Sequence, residues 1–106
     1  MQRRDYFERM IDQVAAAVAK VAGLASEARL EEAEAELDAA WCAGPSFKRA
    51  DASRLDDLTL KMLLGPKVML VASLFEAEAA IADARRDTAR AAHLRTRAAS
   101  LGAVSS

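Results

Sequence analysis

The chain is poor in the residues that punctuate or cross-link a fold. Among 106 residues there are one cysteine, two prolines, four glycines and one histidine. A lone Cys42 excludes an internal disulfide and any Cys-x-x-Cys pair, and nothing in it points to an oxidising compartment. So few glycines and prolines leave long stretches without a turn signal. No segment alternates apolar and polar residues over a strand length, which argues against a sheet. There is no glycine-rich phosphate loop and no Ser-His-Asp constellation.

Charge of one sign is lacking too. The formal net charge is −1, with 15 Lys and Arg against 16 Asp and Glu. The basic excess that phosphate neutralisation demands of a duplex-binding protein is absent, so nucleic acid is not an expected partner. The most apolar run, Val68 to Phe75, is far shorter than a membrane span and is flanked by Lys67 and Glu76, so no membrane association is expected. The opening Met1-Gln2-Arg3-Arg4-Asp5-Tyr6 leads into Glu8, Arg9 and Asp12. It has no signal-peptide apolar core, and a cytoplasmic location is expected.

What remains is helix-forming. The apolar fraction is 53%, and much of it is alanine, the best helix former. The length suits a single all-helical domain over residues 1–106, with 102–106 expected as a frayed tail. A first helix is expected over Arg4–Ala25, where Phe7, Met10, Ile11, Val14, Val18, Val21 and Ala25 recur at three- and four-residue steps. A short turn at Ser26–Arg29 precedes a second helix over Leu30–Ala43, stopped by Gly44-Pro45. The segment Pro45–Ala52 reads as a loop pinned by Phe47. Ser53, with Asp56 three residues on, reads as the N-cap of a third helix over Arg54–Leu64. Pro66 suits the first position of a fourth helix, Pro66–Arg85, whose apolar circumference puts it at the centre. A tight turn at Arg86-Asp87 leads to a fifth helix, Thr88–Leu101. The expected core is Phe7, Ile11, Val14, Val18, Leu37, Trp41, Leu58, Met62, Val71, Leu74, Phe75, Ile81, Leu94 and Ala98.

Within Ala28–Ala40, the residues Ala33, Leu37 and Ala40 have the small–large–small spacing of the second helix of a tetratricopeptide repeat. In the last helix Ala91 and Ala98 repeat the small positions, with Arg95 at the larger one. Arg4-Asp5-Tyr6-Phe7, Met10-Ile11, and Leu74 with Glu76, Ala77 and Glu78 complete a pattern. It resembles a small bacterial family of tetratricopeptide-like helical hairpins, to which no activity is attached. The resemblance implies about five helices in antiparallel hairpins, as a compact array or bundle, and no reaction. The tryptophan, glycine and tyrosine of a strong repeat are missing from helices 1 and 4. Two repeat-like hairpins are too few for an open solenoid, so either they close on each other or a second chain completes the stack.

Candidate chemistry is sparse. His93 lacks the Glu-x-x-His spacing of a di-iron bundle and reads as a surface residue; no metal, cofactor or catalytic residue is expected. Glu76 and Glu78 point away from each other on one helix. One of them is suited to burial against an arginine such as Arg9, Arg85 or Arg90. Cys42 lies at a helix C-terminus, where the dipole disfavours a thiolate, and reads as a buried or half-buried structural thiol.

The charge is unevenly distributed. Glu31, Glu32 and Glu34 belong to an acidic second helix, and Arg85, Arg86, Arg90, Arg95 and Arg97 to a basic run over residues 85–97 that spans the last turn and the last helix. Two solvated faces explain such runs; an interaction surface is the sharper alternative. The function expected is a non-catalytic protein–protein interaction or self-assembly module, with a homodimer the favoured form. A small apolar-ligand binder, its cavity lined by Met10, Met62 and Met69, is the alternative, and a metal-dependent enzyme is the remotest reading.

Overall fold

A computed structural model describes residues 2–45 and 48–102, with the side chains of residues 2–5 outside the described set. All regular structure among the described residues is helical: α1 (Gln2–Ser26), α2 (Leu30–Ala43), α3 (Arg49–Arg54), α4 (Asp57–Leu64), a 3-10 turn (Gly65–Lys67), α5 (Val68–Ala84) and α6 (Thr88–Ser100). Five of these helices have eight residues or more. They pack into a body of 42 × 27 × 25 Å with a radius of gyration of 13.1 Å, as compact as a folded domain of this length should be, about 13 Å.

The architecture follows from α5. Ten of its 17 residues are buried, from Leu70 to Ala82, because apolar residues occupy nearly its whole circumference. It is the one helix that contacts α1, α2, α4 and α6. Trp41 of α2 and Phe75 of α5 meet at the centre, ring centroids 5.6 Å apart and tilted by 59°. With Leu37, Leu60, Leu74, Val21 and Val71 they are the largest fully buried side chains of the core. α1 pairs with α2 and α5 with α6, each pair antiparallel across a short turn. The C-terminal ends of α1 and α5 meet where Ala22, Ala25, Ala80 and Ala84 share a surface cavity. The two helices therefore run in the same direction, and the two hairpins stack side by side.

Both hairpin turns have the same backbone form. Ala28 and Arg86 take positive φ, 62° and 63°. After them Arg29 (φ −90°, ψ 67°) and Asp87 (φ −93°, ψ 77°) lead into the next helix. In the first turn the Arg29 amide donates to the Leu24 carbonyl and the Ala28 amide to that of Ala25. In the second the Asp87 amide donates to Ala82 and the Arg86 amide to Asp83. These are two Schellman motifs, each with a side-chain-bearing residue where glycine is usual.

At the end of α2 the Gly44 amide donates to the Ala40 carbonyl, 2.9 Å, and the expected stop at Gly44-Pro45 is present. A Cβ on Gly44 would lie 2.7 Å from Val14 Cγ2, so the absence of a side chain lets α2 close onto α1.

The middle of the chain corrects four expectations. Part of the expected loop is helical, as α3, and the expected third helix is broken at Leu55, which is extended (φ −90°, ψ 146°). Ser53 is no N-cap: its hydroxyl donates back to the Arg49 carbonyl. Asp56 caps α4 instead, accepting from the Thr59 amide at 2.7 Å, because an acid directly before the helix serves its orphan amides better than one a turn inside it. Pro66 lies in the 3-10 turn, and α5 begins two residues later.

The core also differs in place. Leu58 and Met62 are 68% and 78% exposed, because the break at Leu55 rotates α4 so that Leu60 faces the core. Phe7, Ile11 and Val18 are half-buried against it. Cys42 is exposed, since the buried stripe of α2 runs through Ala33, Leu37, Ala40 and Trp41 and leaves residue 42 outside it. Phe47 and residues 103–106 lie outside the described residues.

Candidate functional site

The charged residues of α2 and α6 are largely engaged within the fold. Glu34 sits between two arginines, accepting from Arg49 Nη1 at 2.7 Å and Arg85 Nη2 at 3.1 Å. Arg49 also reaches Asp38. Arg90 donates to Glu78 Oε2 at 2.5 Å, Arg95 pairs with Asp83, and Glu32 is held by Arg29. Glu31 and Arg86 are exposed. The acidic and basic runs thus tie α2 to α3 and to the end of α5, and α5 to α6.

Arg97 has a different role. Its side chain is only 11% exposed and pairs with Asp57 at 2.9 Å. The guanidinium also donates to the carbonyls of Ala52 at 3.3 Å and Leu55 at 2.5 Å, and its carbon lies 4.9 Å from the centroid of the Phe75 ring. One side chain caps the C-terminus of α3, holds the start of α4 and covers the central aromatic ring. The spacing carried a signal for this. Arg90 and Arg97 are seven residues apart and each precedes a buried alanine, so both border the buried stripe of α6.

These pairs enclose a cleft of about 290 Å³ between α2, α3, α5 and α6, lined by Glu34, Arg49, Ser53, Glu78, Arg85 and Arg90, with Ala50, Ile81, Ala82 and Asp87 completing it. Burial alone would raise the pKa of Glu34, but the hydrogen bonds and charges of Arg49 and Arg85 outweigh it and hold the carboxyl below its ordinary value. Burial would likewise lower that of Arg49. The Glu34 hydrogen bond, with the charges of Glu78 and Asp38, raises it instead. Glu78 is 5% exposed. Its Oε2 holds Arg90, while its buried Oε1 has no hydrogen-bond partner. Of the two carboxylates singled out in the sequence, Glu78 is the buried one and Arg90 its partner.

A second feature is apolar. The large hydrophobic residues that stay exposed among the described residues are Tyr6, Leu58, Met62, Leu63 and Met69. Three are on α4, Met69 begins α5, and Tyr6 is on the first turns of α1, at the end of the body from which the parallel α5 starts. Counted as one helix, Asp57–Ala84 is 28 residues long and apolar enough to cross a membrane by length and composition. The second half of that stretch is the central helix of the core, a position that requires the same composition.

The remaining candidates are not brought together. Met10 is buried, whereas Met62 and Met69 are exposed, and the three line no common cavity among those described. His93 is exposed. Among the described residues no group of three or more His, Cys, Asp or Glu is gathered as a metal site. Comparisons with family models, with curated proteins and with solved structures find no match to this chain.

Proposed function

We propose that the protein is a non-catalytic self-assembly module that pairs with a second copy of itself through the apolar ridge of α4. The observation that carries this reading is the clustering of Leu58, Met62, Leu63 and Met69 on α4 and the first turn of α5, all exposed. Large apolar side chains clustered on the surface of a small domain point to an interaction site.

Charge favours a second copy as the occupant. Asp56 stands at one end of α4, and Lys61 and Lys67 at or beyond the other. In an antiparallel, two-fold pairing, Leu58 of each copy meets Met62 of the other, and the acidic end of each α4 meets the basic end of its partner. Such a surface is self-complementary, which is the requirement of an isologous dimer.

The tetratricopeptide-like reading supports the same conclusion. Two antiparallel hairpins with turns of one form, stacked with α1 parallel to α5, are the arrangement of successive helical repeats. Two hairpins are fewer than a repeat stack normally needs, which favours association with a second copy.

Sedimentation equilibrium across micromolar concentrations tests the proposal. The wild type is expected to dimerise reversibly, and Leu58→Glu with Met62→Glu to be monomeric with an unchanged helical spectrum. A wild type that stays monomeric at high micromolar concentration overturns the reading. So does binding of the same residues to phospholipid vesicles in place of a second copy.

A further inference from the structure

The cleft between α2, α3, α5 and α6 carries an inference independent of the α4 ridge. Its ionisable lining is balanced, with Arg49, Arg85 and Arg90 against Glu34, Glu78 and Asp87. Some of its hydrogen-bonding capacity is unspent. Each guanidinium has five N–H donors. Arg85 uses one, to Glu34, and the Arg90 side chain uses one, to Glu78. On the acceptor side Glu78 Oε1 is buried without a partner, a state that is costly for a charged group.

We propose that this cleft binds a small zwitterion of the amino-acid class, whose ammonium donates to Glu78 Oε1 and whose carboxylate accepts from Arg85 and Arg90. The balance of charge selects this class. A simple anion or cation would leave the site with an uncompensated charge, whereas a zwitterion supplies both a donor and an acceptor and adds no net charge. Size selects within the class. A volume of about 290 Å³ is at the lower limit of ligand pockets, roughly 300–1,000 Å³. The apolar part of the lining is Ala50, Ile81 and Ala82, which suits a short aliphatic or hydroxylated side chain.

The test is an amide NMR titration of the full chain with glycine, L-alanine and L-serine, run beside acetate and methylammonium. The amino acids are expected to give saturable shifts at Ser53, Ala82 and Arg90, with either half-ligand at least about tenfold weaker. Glu78→Gln is expected to weaken binding by a similar factor. Ala50→Phe fills the cleft without touching an ion pair and is expected to abolish binding while leaving the fold intact. It keeps the test decisive should Glu78→Gln fail to fold. Lack of saturation with all three amino acids overturns the proposal, as does an equal response to acetate or methylammonium, or binding that survives Ala50→Phe.

Discussion

Arg97 has given up the freedom that an arginine on a helix surface usually keeps. Its guanidinium holds the Asp57 carboxylate and the backbone carbonyls of Ala52, Ser53 and Leu55 while covering Phe75. Hydrogen bonds to a charged group contribute about 1.5–3 kcal/mol, so Arg97→Ala is expected to lower unfolding stability in urea by about 2–3 kcal/mol. Arg97→Lys, which keeps the charge but not the planar fork, should recover only part of the loss. Glu34 gives the complementary result in acid. Its pKa is lowered in the folded state, so its contribution is complete above the ordinary carboxylate range and is lost as pH falls through the folded value. Thermal melts in acid are expected to show a smaller drop in stability for Glu34→Gln than for the wild type, with the two proteins closest at the acid end. The sequence left open which of Glu76 and Glu78 is buried, and it read Arg97 only as part of a charged run, although Arg97 borders the apolar stripe of its helix. The partners they chose depend on the path of α3, and nothing local in the sequence dictates that path.

At the scale of the element, periodicity was a sound guide wherever a helix was long enough to show it. α1, α2 and α6 end within a few residues of where their apolar stripes and turn residues place them. The middle failed for a physical reason. α3 has six residues, too few to display a stripe, and Ser53 and Asp56 are both good caps, so the choice between them rests on packing. The rotation of α4 follows from that choice and moves Leu58 and Met62 from core to surface. The hairpin turns offered no glycine to read, since Ala28 and Arg86 hold the left-handed positions. That conformation costs a side-chain-bearing residue about 1–2 kcal/mol, part of which glycine returns as greater freedom in the unfolded chain. Ala28→Gly and Arg86→Gly are each expected to stabilise the protein by about 0.5–1 kcal/mol, measured by chemical denaturation. An unchanged or lowered midpoint would mean that the turn is not under strain.

For the whole molecule, composition was enough to fix an all-helical fold with α5 at its centre. It was not enough to say which charges face solvent. The acidic run of α2 and the basic run of α6 read equally well as solvated faces or as an interaction surface. In the structure Glu34, Arg85, Arg90, Arg95 and Arg97 are paired within the chain. That shifts the basis for self-assembly from charge to the apolar ridge and gives it a signature in salt. Dimerisation through Leu58 and Met62 is expected to persist, or tighten, as salt rises, whereas association carried by α2 against α6 would weaken. Sedimentation at low and high ionic strength separates the two.

The short arm formed by α3 and α4 touches the four-helix body only sparsely, and Arg97 is its principal polar latch. A segment with so few contacts is expected to open at a lower free energy than the body. The arm also carries Arg49 and Ser53, one wall of the cleft, while Glu78 stands on the other. Arm closure and occupancy of the cleft are therefore linked equilibria: a molecule that bridges the two walls favours the closed arm by the same factor that the closed arm favours its binding.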